Sequence, residues 1–238
     1  FARAGVRSVA DLGCGIGADS LEFARASLAT VSVELDPLTA SFAAANLADF
    51  SGSRVVVGDV TNFNPESFRD GNGKVVQGIW LDPARRDLTG VVKSRTKRIF
   101  DPEAYSPPLS FVVDLARTGM PMGVKLGPGM PHEAIVRPED IRSEANPHPR
   151  ITAQWVEHEG SLVELVLWFN ALAQEGVART VTVLRQGVTG QAEDGGLRIH
   201  KTTLSSPYSA EQVTPVDEKQ TRIPSPGEYL YEPSGAVV

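Results

Sequence analysis

The segment Asp11-Leu12-Gly13-Cys14-Gly15-Ile16-Gly17 carries three glycines at alternate positions. Glycines in this spacing let a chain bend sharply and leave no Cβ between the backbone and a ligand. A helix opening directly beyond them presents unpaired N–H groups at its first turn. Further acids fall at comparable points: Glu34 lies 21 residues beyond Gly13, and Asp59 stands in Gly58-Asp59-Val60. Dinucleotide sites prefer Gly-x-Gly-x-x-Gly, with a diphosphate on the helix N-terminus. Here the third glycine, Gly17, comes one place early, and Ala18 occupies the dinucleotide position. A carboxylate at Asp11 would repel a diphosphate and suit an ammonium group. Glu34 can accept from two ribose hydroxyls, and Asp59 from an exocyclic amine. Their joint placement points to a cationic, nucleoside-bearing ligand, with Gly13, Cys14, Gly15, Ile16, Gly17, Leu35 and Val60 as the residues beside it. Cys14 reads as a small packed turn residue, and Asp36, before Pro37, as a helix cap.

A fourth acid, Asp82, opens Asp82-Pro83-Ala84-Arg85-Arg86. At the tip of a strand, its carboxylate or the Pro83 and Ala84 backbone could accept from an amine and orient its lone pair; the plainer alternative is a strand end stiffened by proline. From Arg85 to Arg98 six basic residues (Arg85, Arg86, Lys93, Arg95, Lys97, Arg98) face Asp87 alone, a local charge of about +5 on a chain of net −6. Such a stretch attracts phosphate, or is a solvated loop. An Arg85 or Arg86 plane could stack on a base or clamp a phosphate. Lys125, before Gly127-Pro128-Gly129, could touch phosphate or pair with a neighbouring acid.

The elements that must position these residues alternate strand and helix, as in a parallel α/β sheet. Strands are expected over 6–12, 30–35, 54–57, 75–81 and 123–126, with helices over 19–28, 38–50 and 109–118. After a proline-spotted connector, 151–158 and 162–169 flank Glu159-Gly160-Ser161 and read as an antiparallel hairpin; 179–184 is a candidate for one strand more. Phe111, Trp155, Trp168 and Phe169 fall at core positions. The 85–108 stretch is too long for a tight connection and reads as a functional loop. From about residue 186 Gly, Ser, Thr, Pro and charge dominate, so a boundary is expected at 185/186.

The 238 residues are 41% hydrophobic, enough for one sizeable core. No apolar run reaches the roughly 18 residues of a membrane span, so a soluble chain is expected. The single cysteine excludes an internal disulfide framework, and the four histidines lack metal-ligand spacing; no metal is expected, and the composition fits a reducing cytoplasm. The chain opens at Phe1 without a methionine, so an upstream segment carrying substrate contacts is expected.

The glycine turn, Glu34, Gly58-Asp59 and Leu81–Arg86 resemble the successive motifs of class I S-adenosylmethionine (SAM)-dependent methyltransferases, over about residues 5–170. The resemblance implies a Rossmann-like α/β fold, with a mostly parallel sheet and an antiparallel hairpin after the fifth strand. It implies SAM as cofactor, held by Asp11, the 13–17 turn, Glu34, Leu35, Asp59 and Val60. It implies catalysis at Asp82, Pro83 and Ala84, and substrate contacts at Arg85, Arg86 and Lys125. More narrowly, Leu81–Arg86 with Lys125–Gly129 is similar to a bacterial family with a THUMP-like domain after the catalytic one, and Gly227–Pro233 looks like the entry to that domain. On this reading 1–185 is the methyltransferase domain and 186–238 a linker toward it. The analogy implies RNA, transfer or ribosomal, as partner. Amino-methylating relatives often show Asp/Asn-Pro-Pro and then an aromatic residue; here the stretch is Asp82-Pro83-Ala84-Arg85, so a base-nitrogen acceptor is an expectation only. Pyrimidine C5 chemistry is disfavoured, because it needs a cysteine nucleophile and Cys14 belongs to the turn. A small-molecule or protein substrate, and a SAM-binding module without catalysis, stay open, as does the oligomeric state.

Overall fold

The computed structural model describes residues 1–83, 102–188 and 197–207. The first half is the expected alternation. Strand β1 (Ser8–Leu12) is wholly buried and leads through the glycine turn into helix α1 (Ala18–Arg25). β2 (Ala29–Glu34) is followed by α2 (Pro37–Asn46), then by β3 (Ser53–Val57). Asp36 caps α2 by accepting from the Thr39 N–H, with Pro37 at the first helical position, as its type and place predict. The helix stops at Asn46, with Leu47 as its C-cap, short of the expected Phe50; Phe50 instead accepts from the Ser53 N–H in the turn into β3.

β4 (Gly78–Leu81) begins later than expected, because Val75 closes an antiparallel bridge to Arg69. Between them, Asp70 Oδ1 accepts from the N–H groups of Asn72 and Lys74. α3 (Leu109–Ala116) and β5 (Met122–Leu126) follow, then the hairpin β6 (Ile151–His158) and β7 (Ser161–Phe169). The chain ends its described course in β8 (Arg179–Val188) and β9 (Leu197–Ser206).

The nine strands among the described residues join one sheet in the order β3-β2-β1-β4-β5-β7-β6-β8-β9. β3, β2, β1, β4 and β5 pair in parallel, and β7 runs against both β5 and β6. This is the mostly parallel Rossmann-like α/β sheet, with its antiparallel hairpin after the fifth strand, that the resemblance implies. The expected boundary at 185/186 falls inside β8, and β9 pairs with β8 from Arg179↔Ser206 to Val188↔Leu197. β9 is polar because it buries little: Ile199 and Leu204 are exposed, and backbone pairing with β8 carries the strand. A search for core-forming residues therefore passes over it.

Each face of the sheet has its own core. On the α3 face Leu12, Leu81, Val124, Leu126, Leu165, Leu167 and Trp155 form the larger cluster, with Phe169 buried and Phe111 packed against it. On the α1 face Val9, Leu28, Trp80 and Val166 pack with Phe1, Phe23 and Trp168. Trp80, Gly123 and Trp168 are successive cross-strand partners there. A Cβ on Gly123 would lie 2.8 Å from both indoles, so only glycine lets the two rings meet, with centroids 5.8 Å apart. Among the described residues no helix is long and apolar enough to cross a membrane.

Candidate functional site

The glycine turn sits at the carboxyl ends of β1 and β2, where open α/β sheets bind ligands. Gly13, Gly15 and Gly17 all have positive φ (82°, 56° and 81°), a backbone that side chains resist. The turn is fastened to its surroundings. Gly13 and Cys14 donate their N–H groups to the Val33 carbonyl at 2.9 and 3.0 Å, and Asn46 of α2 donates to the Ile16 carbonyl at 2.8 Å. Gly17 lies against α2, where an added Cβ would come within 3.2 Å of that of Ala43.

Glu34, the last residue of β2, bridges this turn to the next. Its Oε2 accepts from the Gly15 N–H at 2.9 Å and its Oε1 from the Asp36 N–H at 3.0 Å. The carboxylate is therefore held at the edge with a fixed orientation. Beside it Ile16 and Leu35 are exposed apolar side chains, while Val60 is half-buried against the core. Asp59 is exposed at the end of the β3 connection, where Oδ1 accepts from the Thr61 N–H and hydroxyl, both at 2.8 Å. Those bonds hold its carboxyl below the usual range.

Asp11 differs from the expectation of a carboxylate presented to the turn. It is 1% exposed, under the first turn of α1, and accepts from the Ser20 hydroxyl at 2.5 Å; Ser20 and Ser32 hydroxyls lie 2.7 Å apart. Burial pushes it up to about 7, the Ser20 bond opposes this, and the charges of Asp19 and Asp82 add to it. Its influence on the turn runs through Ser20 and α1 rather than by open contact. Burial, with Asp11 and Glu34 nearby, pushes the Cys14 thiol far up, so Cys14 is a packed turn residue without nucleophilic character.

Asp82 and Lys125 meet at the ends of adjacent strands. Lys125 Nζ donates to Asp82 Oδ2 at 2.8 Å, with side chains 30% and 39% exposed. Burial lowers the Lys125 pKa, but the Asp82 bond and charge, with Asp19 and Glu164, raise it to a net upward shift. Glu164, half-buried on β7, is pushed up by burial, drawn down by Lys125 and raised again by Asp19 and Asp82. Asp19 in turn accepts from the Trp80 indole N–H at 2.8 Å. Pro83 is buried behind Asp82. Ala84, Arg85, Arg86 and the basic run to Arg98 lie outside the described residues, as does Gly227–Pro233.

The structure thus gathers the 13–17 turn, Glu34, Leu35, Asp59 and Val60 around the β1–β3 ends, and Asp82 with Lys125 beside them at β4 and β5. Sequence reasoning missed Ser20, Asp19 and Glu164. The last had a signal: in β7 (Ser161–Phe169) a glutamate interrupts an apolar run two places from Val166, the cross-strand partner of Lys125. Among the described residues no group of three or more His, Cys, Asp or Glu could hold a metal ion.

The fold defines a Rossmann-like α/β sheet with a glycine turn at its carboxyl edge. No family model matches the chain, and no curated protein matches it. Solved structures do. A putative methyltransferase from Porphyromonas gingivalis W83 is similar at 17% identity and a TM-score of 0.49, over 82% of this chain and 44% of that one. The M protein of the type I restriction enzyme EcoKI is similar at 14% identity and TM-score 0.41, over 79% and 46%. A putative RNA methyltransferase from Pyrococcus horikoshii is similar at 18% identity and TM-score 0.40, over 68% and 73%. The chain spans less than half the length of the first two.

Proposed function

We propose that this chain is the catalytic domain of a SAM-dependent methyltransferase acting on a nucleic acid, with a base nitrogen of transfer or ribosomal RNA as acceptor. The observation that carries the reading is the continuity of one sheet edge: the Glu34-anchored glycine turn and the Asp82–Lys125 pair lie on neighbouring strand ends. The residues fit a nucleoside. Glu34 presents a fixed acceptor for ribose hydroxyls, Asp59 is an exposed acceptor for an amino group, and Leu35 and Ile16 offer apolar surface for a flat ring. When bound, SAM supplies a methyl group already activated on a sulfonium.

The protein's own part is alignment, proton removal and exclusion of water. Asp82 accepts from the acceptor amine and orients its lone pair, while the Lys125 ammonium holds that carboxylate in place. The basic stretch 85–98 draws the phosphate backbone toward this edge. That RNA is the polymer, that a THUMP-like domain follows, and that the site of action is the cytoplasm rest on the narrower family resemblance.

One observation favours a second reading. Around Lys125 the acids Asp82, Asp19 and Glu164 outnumber it, a setting that suits a small amine acceptor better than a phosphate. Labelled SAM offered to total RNA and to a small-molecule extract, followed by product analysis, separates the two. Calorimetry that gives heat with a nicotinamide dinucleotide and none with SAM would overturn both.

A further inference from the structure

On the α3 face, across the sheet from Lys125 and Trp80, a cavity of about 270 Å³ lies between β6, β8 and the connector that follows Gly127-Pro128-Gly129. Ile135, Val136, Ile151 and Ala153 give it apolar walls, and His132 and Arg179 give it its polar corner. Among the described residues Arg179 is held by one ring and one hydrogen bond. Its guanidinium carbon lies 5.8 Å from the Trp155 ring centroid, and one of its terminal nitrogens is 3.2 Å from His132 Nδ1. A guanidinium has five N–H donors and no acceptor. His132 Nδ1 must therefore accept, which places the imidazole proton on Nε2. The His132 ring also packs on Trp155, centroids 5.2 Å apart. Burial and the Arg179 charge hold the imidazole below its usual range, with Glu133 opposing, so it stays neutral. Among the described residues the Arg179 guanidinium has His132 as its one hydrogen-bond partner and no carboxylate within ion-pair distance. Arg137, also at the wall, is engaged by Glu139 and Asp140.

Concave, mostly apolar sites with a few fixed donors are the usual form of a small-molecule pocket. A planar guanidinium braced on an indole, with unused donors, matches an oxyanion in two-point contact. We propose that this cavity is a second ligand site, taking a small organic anion whose flat apolar body fills the pocket and whose phosphate or carboxylate is held by Arg179. The site lies apart from the cofactor edge, and its assignment does not depend on the methyltransferase reading.

The test is a nuclear magnetic resonance titration of the whole chain, following the Arg179 Nε–H and His132 ring signals. Phenyl phosphate and benzoate are the two anionic probes, inorganic phosphate lacks the apolar body, and benzylamine carries the opposite charge. Saturable shifts with phenyl phosphate or benzoate are expected, whichever binds more tightly naming the anion, with inorganic phosphate at least about tenfold weaker. Arg179→Gln should weaken the preferred probe by about tenfold or more. Ala178→Leu, which fills the cavity from its wall and leaves Arg179 in place, should weaken it as well. Far-ultraviolet circular dichroism and melting temperature, measured on the same variants, should be unchanged and report that the fold is intact. The proposal is overturned if neither aromatic anion gives a saturable shift. It is equally overturned if Arg179→Gln binds as wild type does, or if benzylamine or inorganic phosphate binds as tightly as the aromatic anions.

Discussion

Lys125 and Asp82 form an ion pair, Nζ to Oδ2 at 2.8 Å, between the ends of two adjacent parallel strands. The register Leu81↔Val124 makes them the next pair along β4 and β5, so their meeting follows from strand pairing. Both side chains keep about a third of their surface in water, and such a pair adds about 1 kcal/mol or less to stability. Its value lies in orientation. Asp82→Asn should leave SAM binding intact and cut methyl transfer by about a hundredfold or more, the scale of a lost proton acceptor. Lys125→Met, which frees Asp82 without removing it, should cost about tenfold with little change in melting temperature. Single-turnover transfer of labelled methyl groups beside thermal melts checks both; full activity in Asp82→Asn would remove this residue from the mechanism.

Glu34 satisfies two N–H groups at once, those of Gly15 and Asp36. A carboxamide has one acceptor oxygen, so Glu34→Gln can serve only one of them and has less to offer a ribose. SAM affinity should fall by about tenfold or more on calorimetry. The far-ultraviolet circular dichroism should be unchanged, because β2 keeps its ladder to β1 and β3.

Asp11 sets a pH dependence whose sign is opposite to that of a salt-bridged carboxylate. Its folded pKa, about 7, lies above the ordinary 3.8, so the folded chain binds the extra proton between these values. Stability from this group is complete below about pH 4 and is lost as pH rises through 7, by on the order of 4 kcal/mol. Asp11→Asn keeps an acceptor for Ser20 and cannot ionise. It should match the wild type below about pH 4 and exceed it increasingly up to pH 8 in urea unfolding. Equal stabilities of the two proteins at pH 8 would show that Asp11 is not penalised by burial.

The contrast between Asp11 and Glu34 shows where sequence reading ends. Spacing placed both acids at strand ends, because burial in a parallel sheet forces apolar runs to stop at the edge. It could not tell which face each side chain takes: Asp11 turns under α1 to Ser20, whereas Glu34 stays at the rim. The strands β1 to β7 were legible because each is an apolar run between turn residues. β9 was not, since a polar strand paired along an edge leaves no hydrophobic signature. The Asp82–Lys125 pair needed the register, and Glu164 needed the hairpin's pairing, neither of which lies in local spacing.

Gly123 is required by the rings on either side. Gly123→Ala would put a methyl group 2.8 Å from the Trp80 and Trp168 indoles, so two packed rings would have to shift. Overpacking of this kind costs about 1–3 kcal/mol. Because Trp80 also donates to Asp19, displacement of its ring should disturb the acids around Lys125. A lowered melting temperature with altered tryptophan fluorescence, and a loss of transfer larger than the loss of SAM affinity, is the expected outcome.

The basic stretch separates a polymer substrate from a small one. Arg95 and Lys97 lie among six cations with a single acid between Arg85 and Arg98. If a phosphate backbone tracks this stretch, each neutralised phosphate releases counterions, and log affinity falls linearly with log salt, by about 0.7 per contact on a single strand. Arg95→Glu with Lys97→Glu should weaken RNA binding at low salt and flatten that slope by between one and two contacts. Methylation of a small neutral acceptor should be unaffected, because screening leaves uncharged encounters alone. Filter binding across a salt series, with the cofactor saturating, measures the slope directly. An unchanged slope in the double variant would take the phosphate contacts away from this stretch and move the small amine ahead of RNA as acceptor.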